Sequence, residues 1–200
     1  MKKKIIFTMG SLGIGGAEKS LVTLLSEIDY EKYEVDLMLF NPKGEFKAFL
    51  PKEVNVKYPS KDYIKFDMDP IKSVLYFLKK FKIKLLILNV IYLIKLSFYR
   101  FILKKEYIGW GIRRKALKPI EEKYDIAIGF LEKKCTYFIV DKIKADKKIG
   151  WVHTDYSSID YNRKDEEYYF NKLDYIIAVS ENCKETLINI FPEIREKVRV

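Results

Sequence analysis

The sequence predicts an α/β protein whose mostly parallel sheet is covered by helices on both faces. Three observations predict it. Short apolar runs of strand character alternate with helically spaced segments along the chain. The first apolar run ends in a glycine-rich loop that opens a helix. No internal repeat and no flexible linker interrupts the alternation. At 200 residues, with 48% apolar and 33% charged side chains, the chain is long enough for one full core. One domain over residues 1–200 is expected.

The elements follow in order. Lys4–Met9 is an apolar run that stops at Gly10, and Gly10–Gly16 is the glycine loop. Ala17–Ile28 has helical spacing, with Leu21, Leu24, Leu25 and Ile28 on one face. Glu34–Phe40 reads as a second strand closed by the turn signal Asn41-Pro42-Lys43-Gly44, and Val54–Tyr58 as a short third. Residues 71 to about 122 are mostly helical, with an interruption around Gly109–Gly111. Asp125–Phe130 is a strand, Lys133–Val140 a helix and Lys147–Val152 a strand. Asp165–Lys172 is helical, with acids in its first turn that suit the helix dipole. Tyr175–Val179 is a strand, and Ser180 is placed to cap a helix over Glu181–Ile190. Lys197–Val200 enters a further strand as the chain stops, so a longer polypeptide is expected.

Several function classes are excluded early. Two cysteines without a CxxC make no disulfide framework, and the single histidine, His153, leaves no conventional zinc site. A reducing, cytoplasmic setting fits. The basic start imitates a signal peptide, but its apolar stretch is short and broken by Gly10. The one membrane-span candidate is Ile83–Leu103. Its uncharged core, Leu85–Ile94, is half the roughly 20 residues a crossing needs. It is expected not to span.

The net charge of +10 is localised. Residues 71–120 hold thirteen Lys and Arg and one acid, Glu106, for +12; the other 150 residues hold 25 bases and 27 acids, for −2. Lysine-rich usage explains Lys over Arg but not the loss of acids from this stretch alone. Nine aromatics interleave with those cations, which is the composition of an interfacial membrane-docking surface. Lys79, Lys80, Lys104, Lys105, Trp110, Arg113 and Arg114 are its candidate residues. A solvated lysine face over a helical core is the plain alternative, as is a buried core role for Trp110. Nucleic acid would need the same cations but is not the expected partner.

The loop Gly10-Ser11-Leu12-Gly13-Ile14-Gly15-Gly16-Ala17-Glu18 joins a strand end to a helix start, where ligands bind in open parallel sheets. It is neither familiar nucleotide motif. A GxGxxG fails because Glu18 stands at its third glycine, and a phosphate loop fails because Lys19-Ser20 lies three residues late. What remains is Gly-Gly-Ala-Glu at a helix opening, and with it the sequence resembles the family-4 retaining glycosyltransferases. Three further stretches agree in order: Tyr124-Asp125-Ile126-Ala127-Ile128-Gly129-Phe130, Trp151-Val152-His153-Thr154-Asp155, and Asp174-Tyr175-Ile176-Ile177-Ala178-Val179-Ser180 followed by Lys197-Val198-Arg199-Val200.

The resemblance covers the whole chain but only the amino-terminal half of such an enzyme. It implies a Rossmann-like three-layer domain, the acceptor-side half of the two-domain GT-B fold, whose carboxy-terminal donor-binding domain is absent from these 200 residues. The implied activity is hexosyl transfer from a nucleotide sugar to a glycan or lipid-linked acceptor, as in cell-surface polysaccharide synthesis. No cofactor and no metal are expected, the nucleotide sugar being substrate. The family's paired glutamates and diphosphate-binding cations belong to the absent half, so this piece alone is expected to be inactive. A non-enzymatic module binding anionic membrane or nucleic acid through 71–120, and an epimerase on the same fold, are the alternatives.

The residues divide accordingly. Gly13, Gly15 and Gly16 are donor-diphosphate loop candidates and also suit a tight strand–helix turn. Glu18 is a first-turn acid with a second possible role in acceptor contact. His153 ends an apolar strand, at the edge that lines the crevice in this architecture; the resemblance implies that it touches the donor sugar or reacting phosphate, which makes it the catalytic candidate. Asp155 orients His153, binds an acceptor hydroxyl, or is an ordinary turn acid.

Overall fold

The computed structural model describes residues 2–104 and 109–200, so Lys105 lies outside the described residues. The chain divides into two compact units: residues 1–58 with 119–200, and the inserted residues 59–118.

The first unit is a seven-stranded, all-parallel sheet in the order β3-β2-β1-β4-β5-β6-β7. The strands are β1 (Lys3–Met9), β2 (Tyr33–Leu39), β3 (Asn55–Lys57), β4 (Lys123–Gly129), β5 (Lys144–Val152), β6 (Tyr175–Ala178) and β7 (Val198–Arg199). Period-two alternation splits the buried strands between two layers. Ile5, Phe7 and Met9 of β1 join Val35, Leu37 and Leu39 of β2 under Leu21, Val22 and Leu25 of helix α1 (Gly16–Ser26). Thr8 points the other way, its hydroxyl donating to the Cys135 carbonyl of helix α6 (Lys134–Lys142) at 3.2 Å. Gly129 is required there: a Cβ on it would stand 2.7 Å from the Thr136 Cα. Helices α7 (Arg163–Asn171) and α8 (Glu181–Ile190) complete the unit, with Ser180 accepting from the Cys183 N–H as the expected N-cap. A Rossmann-like α/β architecture is therefore what the chain adopts.

The buried Asp36 of β2 accepts from Asn55 at 2.7 Å, pairs with Lys57 at 2.6 Å and accepts from the Tyr124 hydroxyl. Asn55 and Lys57 belong to β3, which pairs with β2, and Tyr124 to β4, which lies beyond β1, so this buried carboxylate ties together strands on both sides of β2.

The second unit is helical: α2 (Lys61–Met68), α3 (Pro70–Lys79), α4 (Ile83–Ser97) running into a π-helical turn (Phe98–Leu103), and α5 (Trp110–Ala116). Its core is Phe66, Phe77, Tyr92 and Ile112. Helix α2 falls in a stretch to which the sequence pattern assigns no element; Ser60 caps it by accepting from the Tyr63 N–H. The long helical stretch breaks at Phe81, in the left-handed region at φ 52°, with no glycine or proline to signal it. Residues beyond Ala116 leave the helix ahead of Pro119.

Two docking candidates are corrected here. Trp110, at the start of α5, is buried, 4% exposed, and so offers no anchor at the surface. Arg113 is paired with Asp67 at 3.0 Å and donates to the Tyr92 hydroxyl at 2.6 Å, so its charge is spent internally. Lys79, Lys80, Lys104 and Arg114 are exposed. Residues Ile83–Leu103 form a helical run of 21 residues, long and apolar enough by length and composition to cross a membrane, with 11% of its most apolar stretch buried. That run is twice the uncharged core on which the sequence expectation rested.

Candidate functional site

Because every strand is parallel, the loops after β1, β4 and β5 leave the same edge of the sheet. The strand order reverses between β1 and β4, since β2 and β3 lie on one side of β1 and β4 to β7 on the other. A crevice at the carboxyl ends of such a pair is the usual ligand site of an open α/β sheet. Gly10–Gly15 follows β1, Phe130–Lys133 follows β4, and His153 follows β5.

The glycine loop is held from β2's side. The Phe40, Asn41 and Phe46 N–H groups donate to the carbonyls of Met9, Gly10 and Leu12 at 3.2, 2.9 and 2.9 Å. Gly44, at φ 144°, lies so close that a Cβ would stand 2.2 Å from the Leu12 carbonyl carbon. The turn glycine of the sequence is thus a brace for the loop. Gly13, Gly15 and Gly16 take no positive φ; Gly15 is extended at φ −166°. The tight-turn account of these glycines is corrected accordingly. At Gly15 a Cβ would meet the Glu18 Oε2 at 2.2 Å, so the Glu18 carboxylate folds back over the start of α1. An acid there is stabilised by the helix dipole.

His153 sits half-buried against aromatic rings, 5.0 Å from Phe130 and 6.1 Å from Trp151 between centroids. Burial holds its imidazole below the ordinary value. The Glu132 and Glu18 carboxylates and a hydrogen bond to the Phe130 backbone pull the other way without overcoming it. Burial thus favours the neutral ring. Its Nε2 is buried with no hydrogen-bond partner among the described residues, which leaves Nδ1 to make the Phe130 bond. An orphaned buried nitrogen costs about 1–3 kcal/mol until a partner reaches it.

Glu132, which sequence reasoning missed, organises this end of β5. It accepts from the His153 N–H at 3.2 Å and from the Thr154 hydroxyl. The adjacent Lys133 adopts φ 59° and ψ −114°, a conformation costing about 1–3 kcal/mol outside glycine. Lys133 Nζ donates to the Asp160 carbonyl at 2.9 Å. Position alone could have flagged Glu132, since it stands just past the carboxyl end of β4 at the topological switch.

Asp155 does not touch His153. It accepts from the Ser157 N–H at 2.9 Å and hydroxyl at 2.8 Å, which holds its carboxyl below the usual range and makes it a turn acid. The loop is anchored from below by Tyr156, whose hydroxyl donates to the buried Glu166 at 3.2 Å, and by the Thr154 carbonyl, which accepts from the Cys183 thiol at 3.6 Å. Among the described residues no group of three or more His, Cys, Asp or Glu is placed to hold a metal.

No family model matches the chain, and no curated protein does. Among solved structures it is similar to HepE (Alr3699) of Anabaena. Against the complex with UDP and glucose the TM-score is 0.52 at 16% identity, covering 100% of this chain. Against the complex with UDP-glucose it is 0.52 at 15% identity, covering 98%. At that identity the likeness is one of fold. The chain spans less than half the length of those structures, 44% and 43%.

Proposed function

We propose that this chain is the amino-terminal, acceptor-side half of a retaining glycosyltransferase of the two-Rossmann-domain type. It would move a hexose from a nucleotide sugar to a glycan or lipid-linked acceptor in cell-surface polysaccharide synthesis. The observation that supports this reading is that Gly10–Gly16, after β1, and His153, after β5, leave the same carboxyl edge of the sheet on either side of β4, beside the β1/β4 switch. Likeness in fold to a protein solved with UDP-glucose supports it.

In this reading the rest of the polypeptide supplies the cations for the donor diphosphate, and the 200 residues alone are inactive until both halves close on the substrates. The leaving group is stabilised electrostatically. His153, held neutral and oriented through Phe130 and Glu132, offers Nε2 to the sugar or the reacting phosphate. The protein works on the cytoplasmic face of the cell membrane, where residues 59–118 meet anionic lipid through their lysines.

The test uses the full polypeptide with UDP-glucose as the first donor probe. His153→Ala should lower turnover at least about tenfold, about 1.4 kcal/mol of transition-state stabilisation, with an unchanged circular dichroism spectrum. Normal kinetics in that variant would make His153 structural and remove the site.

A further inference from the structure

Helices α3 and α4 each present an apolar stripe to solvent. On α3 it is Ile71, Leu75 and Leu78; on α4 it includes Ile83, Ile87 and Ile94, all at helical spacing and all more than half exposed. Phe81, in the turn between them, is 85% exposed. The opposite side of α4 is apolar too, with Tyr92 in the core of the unit. A helix apolar all round belongs either inside a protein or in lipid. Only 11% of the most apolar stretch here is buried, so a protein interior does not account for it. Isolated exposed apolar residues need no explanation, but two adjoining helical stripes mark a contact surface.

The polar groups of α4 decide its orientation. The Asn89 amide, fully buried, donates to the Pro70 carbonyl at 2.7 Å and to Ser73 Oγ at 2.8 Å. Tyr92 accepts from Arg113 at 2.6 Å. These three bonds tether α4 to α3 and α5 within a compact unit, an arrangement for a helix lying along an interface and not one passing through it. Charge decides the occupant. Residues 59–118 carry fifteen Lys and Arg against four acids, for +11. Three of those acids, Asp62, Asp67 and Asp69, are already paired with Lys82, Arg113 and Lys72. Lys79, Lys80, Lys84 and Lys95 are exposed beside the apolar stripes. An anionic bilayer offers both complements at once: headgroup charge for the lysines, whose stems reach outward, and acyl chains for the stripes.

We propose that the α3–α4 pair lies in the plane of an anionic bilayer with its isoleucine and leucine stripes inserted at the acyl-chain boundary. This rests on the membrane-facing part of the proposed function and adds to it a mode of attachment: apolar insertion in addition to charge attraction.

The test is co-sedimentation of the 200-residue chain with vesicles of phosphatidylcholine and phosphatidylglycerol at about 0.1 M and about 1 M salt, where the screening length falls from about 10 to about 3 Å. Insertion predicts binding at low salt and retention of most of it at high salt. The variant Leu75→Gln, Leu78→Gln, Ile87→Gln, Ile94→Gln should bind at high salt at least about a hundredfold more weakly, because four aliphatic side chains leave the apolar boundary. All four are exposed and glutamine is a good helix former, so the variant should keep its circular dichroism spectrum. Binding at low salt with full release at high salt would overturn insertion and leave the electrostatic docking standing. No binding at either salt would overturn both. A lipid-free dimer that the substitutions dissociate would assign the face to a second copy and overturn the proposal.

Discussion

Replacing Glu166 by glutamine should remove a pH dependence of stability built into the support of the His153 loop. Glu166 lies in α7, fully buried, and accepts from Tyr137 of α6 at 2.7 Å and from Tyr156 of the loop at 3.2 Å. Burial pushes its carboxyl up to about 7, although both tyrosine bonds and the Lys133 charge pull it down; Glu132 adds to the rise. Burial and the Glu166 charge keep both tyrosines protonated well beyond the ordinary phenol range. In the unfolded chain the carboxyl returns to the ordinary glutamate value of 4.5. Between those values the folded state holds a proton that the unfolded state has released. Stability therefore falls by about 1.4 kcal/mol per pH unit across that window. The contribution is fully present below pH 4.5 and gone above about pH 7, a loss of about 3 kcal/mol. Glutamine is neutral throughout and has no such slope. Urea unfolding of wild type and Glu166→Gln from pH 5 to 8 should show the variant gaining on wild type by about 2.5 kcal/mol. Other titrating groups cancel in the difference. Parallel stability curves would refute the burial argument.

Two further outcomes follow from the site's geometry. Gly44→Ala should destabilise the chain by about 2–3 kcal/mol, since it combines a positive φ with a Cβ against the Leu12 backbone. Gly15→Ala should cost much less, because the obstructing atom is the movable end of Glu18; equal losses of Tm in the two variants would refute the brace. As the only histidine, His153 gives one resolved imidazole titration by proton NMR. Burial should put its midpoint below 6.5, and Glu132→Gln should lower it further by removing a carboxylate that favours the charged ring. A midpoint above 6.5 would mean that the carboxylates outweigh burial.

The sequence by itself determined the sheet and the place of the crevice. Runs such as Lys4–Met9 and Tyr175–Val179 are short and almost wholly apolar, the pattern of strands buried on both faces, and Ala17–Ile28 carries the helical period, so the element types follow from local pattern. Ser180 caps α8 because a hydroxyl at that step needs only the chain three residues on. His153 was legible as a strand-end residue for the same reason. What only the tertiary structure decided is everything that depends on a distant partner. Arg113 and Lys79 look alike in a row of cations, and the Asp67 carboxylate, far back along the chain, makes one of them internal. Glu132 reads as a loop acid until β5 is laid beside β4 and brings His153 and Thr154 to it. Gly44 reads as a turn until its Cα is found against Leu12. Helix α4 shows the limit most plainly. A segment apolar on every side has no periodicity to say which side is covered. Burial is decided by elements packed from elsewhere, here α3 and α5, and they cover one side and leave the other exposed.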